Sequence, residues 1–313
     1  MIGLFHHALF TACAAGTLIG IFAFAIPARA AEPQACREIE RRYELTKADI
    51  TSVQMSLLLA AAAGRGCEPL ARALLAAGAT LESRDRLGAM PLAHAAAAGH
   101  LALVDLFLER GAPIDARNLA GSTALYAAAE NDRVAVVRRL LEKGADPNLP
   151  GRSGVTPLAA ASFKGNEQTA VELIARGVDV NARDSTGKAP IVYAASLGFT
   201  NIVRRLLDAG VDVNVRYGND LTALMWASGY ADGAGVLDAV AVVTLLLDRG
   251  AAIDSADDRG RTALMTAAEL GHGTIVELLL ARGADRARAD KQGKTARDLT
   301  TDAAVRARLA AGG

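Results

Sequence analysis

From Ala8 to Ile26 the chain is an uncharged apolar run, broken only by Thr11, Cys13 and Thr17. Beyond residue 50 the rhythm changes. Apolar residues fall in short stripes with helical spacing, as in Ile202-Val203 and Leu206-Leu207. An Ala-rich stretch precedes each stripe, for example Ala159-Ala160-Ala161, and a glycine such as Gly99, Gly165, Gly198 or Gly271 separates the two. The stripe ends in a basic residue and glycine, as in Glu142-Lys143-Gly144 and Ala281-Arg282-Gly283, a helix C-terminal signal. The pattern predicts units of helix, turn and helix, followed by an extended loop or β-hairpin.

These units have a fixed length. Gly78, Gly111, Gly144, Gly177 and Gly210 are each 33 residues apart; Gly250 follows after 40 and Gly283 after 33 more. Gly88, Gly121, Gly154 and Gly187 keep the same step; Asp220 takes the next place, and Gly260 and Gly293 restore the glycine. Two registers with one period mean stacked supersecondary units, so the length of 313 residues does not translate into two globular domains. The long step puts seven extra residues near 231–237, between the two helices of one unit. Insertions in such arrays map to loops, often on a binding face, although long loops are also tolerated without a role. That unit carries the single tryptophan, Trp226, which is expected to pack in the core, with Tyr230 four residues on.

Composition narrows the classes. Hydrophobic residues make up 51%, and 34 Lys+Arg balance 34 Asp+Glu, which excludes a disordered chain and gives no basic excess for nucleic acid. Aromatics are 4%, so the core is expected to be Ala, Leu and Val in closely packed helices. The apolar run followed by Pro27 and Ala28-Arg29-Ala30 reads as a signal peptide, residues 1–30, cleaved after Ala30. The alternative is an uncleaved inner-membrane anchor, since a span needs about 20 residues. Cleavage removes one Arg and no acid, leaving 33 bases against 34 acids and a net charge of −1. The expected location is the periplasm or the exterior. Residues 31–50 are expected to hold an amphipathic helix or linker, with the repeats over 51–310. Cys36 and Cys67, paired in number and bound for an oxidising compartment, are the disulfide candidate, against two buried thiols.

The units resemble ankyrin repeats. The family motif Asp-x-x-Gly-x-Thr-Pro-Leu-His-x-Ala-Ala is matched in parts by Asp85-Arg86-Leu87-Gly88, Gly121-Ser122-Thr123-Ala124-Leu125 and Thr156-Pro157-Leu158; Gly99-His100 and Gly271-His272 match the inter-helix turn. Thr and Pro there suit the N-cap and the first helical turn. The resemblance implies an all-α repeat solenoid, a stack of about eight helix-turn-helix units joined by β-hairpin loops, the first and last acting as caps. The family's His position is held by Ala93, Tyr126, Ala159, Val192, Met225 and Met265, so the usual polar ladder is expected to give way to apolar stacking. Met90 and Ala189 replace the capping Thr.

No reactive constellation emerges. Ser185-Thr186-Gly187-Lys188 and Gly293-Lys294-Thr295 mimic catalytic and phosphate-loop motifs, but both fall on repeat turns without partner motifs, and Cys36 and Cys67 lack zinc-ligand spacing. The expectation is therefore an exported, monomeric protein-binding module, with no catalysis, cofactor, metal, nucleic acid or membrane contact after cleavage. The resemblance places binding on the concave side. Its tips would contribute Arg86, Leu87, Arg152, Lys188, Asn219, Arg259 and Arg261, and its first helices Glu130, Asn131, Phe163, Lys164, Tyr230 and Glu269. The basic tips suggest an acidic partner protein. The alternatives are a membrane-tethered adaptor and a ligand or enzyme site around the inserted loop.

Overall fold

The computed structural model describes residues 34–230 and 235–310. The expected leader, residues 1–30, and positions 231–234 of the expected insertion lie outside the described residues. A lone helix, α1 (Gln34–Thr46), precedes eight helix pairs. These are α2 (Ser52–Arg65) with α3 (Glu68–Ala76), α4 (Pro91–Ala98) with α5 (Leu101–Glu109), α6 (Ala124–Glu130) with α7 (Val134–Glu142), and α8 (Pro157–Lys164) with α9 (Glu167–Ala175). There follow α10 (Pro190–Ser196) with α11 (Thr200–Asp208), α12 (Ala223–Ser228) with α13 (Val236–Asp248), α14 (Ala263–Glu269) with α15 (Gly273–Ala281), and α16 (Ala296–Leu299) with α17 (Ala303–Ala310). First helices pack on first helices of neighbouring pairs, second on second, in chain order.

Small residues make this possible. Ala95-Ala96, Ala128-Ala129, Ala194-Ala195 and Ala267-Ala268 have no accessible surface, so first helices approach with only methyl groups between them. Ser162 and Ser228 stand in two such places, and each hydroxyl donates to the carbonyl four residues back, Leu158 and Leu224, at 2.8 Å, which satisfies a buried polar group. The second helices supply bulk: Leu74, Leu103, Phe107, Leu140, Leu173, Ile202 and Leu206 are all less than 2% exposed. Each such side chain stabilises the stack by roughly 1.5–3 kcal/mol relative to exposure. Thr123, Thr156, Thr222 and Thr262 cap their helices by accepting a backbone N–H three residues on. Met90 and Ala189 make no side-chain cap.

The inter-helix turn shows why glycine recurs. Gly165 has φ 75°, and a Cβ there would stand 2.6 Å from the Phe199 ring of the next unit. Where unit three lacks this glycine, Asp132 takes φ 54° instead and its carboxylate accepts from the Thr169 hydroxyl at 2.7 Å.

At the amino end Cys36 and Cys67 form a disulfide, with Cα atoms 5.4 Å apart, tying α1 to the turn between α2 and α3. Thr51 and Gln54 cap α2 reciprocally. In the long unit, α13 has 13 residues, whereas α11 and α15 have nine each, so four of the seven extra residues lengthen the second helix. Val236 and Leu237 at its start are 43% and 79% exposed.

The unit-joining loops contain no strands among the described residues; a single isolated bridge, Ala289 to Thr295, is all that pairs. Each loop closes a tight turn, as in Asp85 N–H to the Ala89 carbonyl and Asp184 N–H to Lys188, and in five of the seven a side-chain oxygen takes up the remaining turn amides.

Candidate partner-binding surface

The turn tips are built around one side chain. Asp85 Oδ1 accepts from the amides of Leu87 and Ala89, Asn118 Oδ1 from Ala120 and Ser122, Asp184 Oδ1 from Thr186 and Lys188, Asp257 Oδ1 from Arg259 and Arg261, and Asp290 Oδ1 from Gln292 and Lys294. Gly151 and Tyr217 occupy the same place in two units and offer no such acceptor. There the tip winds into a 3-10 turn, Arg152–Gly154 and Gly218–Asp220, with Ser153, Asn219 and Asp220 at φ 58–60°. The expected contact residues Arg152 and Asn219 therefore ride on tips of a different shape from Arg86 and Arg259.

Neighbouring tips are stitched together. The Leu119 amide donates to the Leu87 carbonyl at 2.9 Å, Ser185 to Ser153 at 2.8 Å and Lys291 to Arg259 at 3.0 Å. Arginines just before the turn reinforce this. Arg84 donates to the Arg117 carbonyl, Arg117 to Pro150, Arg183 to Arg216 and Arg216 to Ala256, each reaching one unit ahead. Asn and Asp do the same nearer the second helices, where Asn148 accepts from the Asp179 amide and Asp254 from Asp285. The missing histidine ladder is thus replaced partly by polar bracing. His94 Nε2 lies 2.9 Å from Asp85, and the Tyr193 hydroxyl donates to Asp184.

Electrostatics follow from this bracing. Burial raises the Asp184 carboxyl, but hydrogen bonds from Tyr193, Thr186 and Lys188 outweigh it and hold the group below the usual carboxylate range. Burial, and then the bond to Asp184, push the Tyr193 phenol well above its ordinary value. Burial, slightly offset by Arg183, lifts Tyr217 to about 12.

Along the first helices runs an aromatic row: Tyr126 on α6, Phe163 on α8, Tyr193 on α10 and Trp226 on α12. Phe163 and Tyr193 meet edge to face, with centroids 5.7 Å apart. Lys188 places its ammonium 5.8 Å from the Tyr193 ring centre and 5.0 Å from that of Trp226. Trp226 is half-buried against the core rather than enclosed by it, and its indole N–H has no acceptor among the described residues. Beside the row, Leu87, Leu119 and Arg152 share a shallow depression of about 660 Å³. Leu87 is 69% exposed, Leu119 81% and Phe163 48%.

The expected contact residues do not all behave alike. Arg86 and Arg152 are exposed and join no ion pair among the described residues, and Lys164 lies 5.7 Å from the centre of the Phe163 ring. Arg259 is paired with Asp257 at 2.9 Å, and Arg261 lies between Glu269 and Asp290. The Arg259–Arg261 tip is therefore neutralised from within the chain. Glu130 and Asn131 end α6, the Asn131 amide donating to Ala127. Tyr230 falls beyond the end of the short α12 and stacks on His272 at 3.9 Å, so it belongs to the inter-helix turn and not to the aromatic row. Residues that sequence reasoning passed over are Leu119, Tyr193 and the Arg84, Arg117, Arg183 and Arg216 series; the last recurs at the repeat period and was open to detection.

Stacked helix pairs with tight-turn tips, presenting one side of first helices and tips, define a repeat-scaffold protein. The ankyrin-repeat pattern matches residues 57–151, 158–240 and 231–301, and the chain belongs to that family, whose fold typically mediates protein–protein interaction and is generally a non-catalytic scaffold. It is similar to the solved human ASB11 ankyrin repeat domain at 27% identity and a TM-score of 0.64, covering 71% of this chain and 97% of that one. No curated sequence matches it significantly.

Proposed function

We propose that this is an exported, monomeric ankyrin-repeat protein that captures a partner protein on the concave side formed by its tips and first helices. The observation that carries the reading is the exposure of Leu87, Leu119 and Phe163 along that side, next to the unpaired Arg86 and Arg152. Exposed apolar and aromatic groups flanked by polar ones mark recognition surfaces. A scaffold braced tip to tip loses little freedom on binding.

Export rests on the leader-like residues 1–30, and the Cys36–Cys67 disulfide suits an oxidising compartment. Among the described residues no helix is long and apolar enough to cross a membrane. Sequencing the amino terminus of the mature protein tests processing: Ala31 supports cleavage, and Met1 or Ile2 favours the tethered alternative.

Capture from the native compartment tests the surface. Leu119→Glu with Phe163→Glu is expected to abolish capture, and Ala135→Glu on α7 to leave it intact. Equal capture by both variants would defeat the reading.

A further inference from the structure

The distribution of unpaired cations narrows what this surface accepts. Lys188 extends from its tip across two units, over Tyr193 of its own first helix and Trp226 of the next. The carboxylate of its own tip, that of Asp184, is already engaged by the Thr186 amide and hydroxyl, the Lys188 amide and the Tyr193 phenol. The Lys188 ammonium therefore rests on ring faces without a counter-ion among the described residues. Arg152, on the tip just before, is exposed and joins no ion pair among the described residues either. At the other end of the stack, Arg259 and Arg261 have carboxylates supplied by the chain itself.

Resting on the partner-protein reading above, we infer that the occupant is an extended acidic segment of the partner, lying across units two to six. One of its carboxylates meets Lys188 at the Tyr193–Trp226 clamp, a second meets Arg152, and an apolar side chain enters the depression between Leu87 and Leu119. A lysine already fixed on two rings gives up little side-chain freedom when it meets an anion, and the low-dielectric rings beside it strengthen the pair. The Arg259–Arg261 tip stays outside the footprint because an incoming acid would have to displace Asp257 or Glu269.

The test uses the whole mature chain and a fluorescein-labelled oligoglutamate of about 15 residues, long enough to span several tips at ~3.3 Å per residue. Anisotropy measures binding, and Trp226, the one tryptophan of the chain, reports contact by its emission. Saturable binding with a change in emission is expected, weakening about tenfold or more between 50 and 500 mM salt. Lys188→Met should weaken it at least about fivefold and Arg259→Met by less than about twofold, with far-ultraviolet circular dichroism unchanged in both. The inference is overturned if oligoglutamate fails to bind, if oligolysine binds equally well, or if Lys188→Met titrates like the parent. Such a result alongside loss of capture by Leu119→Glu with Phe163→Glu would remove the acidic segment and leave the partner-protein reading standing. Retained capture by that double variant would remove the reading itself.

Discussion

Replacing Asp184 by alanine isolates what holds a tip in shape. The carboxylate accepts from the Thr186 amide at 2.7 Å, the Thr186 hydroxyl at 2.7 Å, the Lys188 amide at 3.1 Å and the Tyr193 phenol. Hydrogen bonds to a charged group contribute roughly 1.5–3 kcal/mol each, net of exchange with water, and less where the donors are readily re-solvated. The tip is close to solvent, so water can take over the amides, whereas the half-buried phenol is harder to re-satisfy. The net cost for Asp184→Ala is about 2–4 kcal/mol, and for Asp184→Asn about 1 kcal/mol, since an amide oxygen retains the turn acceptor as Asn118 does in its own unit. The sign of the pH dependence follows from the lowered folded pKa. Such a group contributes fully above its unfolded value of about 3.9 and loses its contribution as pH falls through the folded value. Urea unfolding of the parent and both variants at pH 7 and near pH 3 is the assay, and the gap between parent and Asp184→Ala should narrow at the lower pH. A variant within about 0.5 kcal/mol of the parent at pH 7, or a gap independent of pH, would refute the argument.

Other expectations follow from the same packing. Cys36→Ala with Cys67→Ala opens a loop spanning 31 residues and should lower stability by about 3–4 kcal/mol in non-reducing urea titrations, with faster amide exchange in α1. Gly165→Ala should cost about 2–3 kcal/mol, because a left-handed φ is combined with the Phe199 ring; Gly177→Ala, with φ 73° and open space, should cost only about 1 kcal/mol in the same thermal unfolding series. Arg216→Met removes the bond to the Ala256 carbonyl and should cost roughly 1 kcal/mol, with amide exchange rising at residues 250–260.

The fold was legible because its signals are local and periodic. Gly78 and its successors mark helix ends, Thr123 and Thr156 mark helix starts, and alanine marks the faces that must approach closely. The surface was less legible because its chemistry is decided between units. Arg261 reads as a free tip cation until the carboxylates of Glu269, eight residues on, and Asp290, in the next unit, are placed beside it. Lys188 reads as a solvated turn residue until Trp226 of the following unit lies under it. Tyr230 shares its register with Asn131 and Lys164, yet α12 ends at Ser228 and turns it onto His272. The joining segments were read as extended loops or hairpins, and there the Asp85 and Asp184 carboxylates satisfy the turn amides without a paired strand.

Site-directed photo-crosslinking in the native compartment tests most directly whether recognition belongs to the tips and first helices. A photoreactive residue at Leu119 is compared with one at Ala135 on the opposite row of helices; both positions are exposed. The account predicts a discrete protein adduct from Leu119 and none from Ala135. Adducts from Ala135 alone would contradict it.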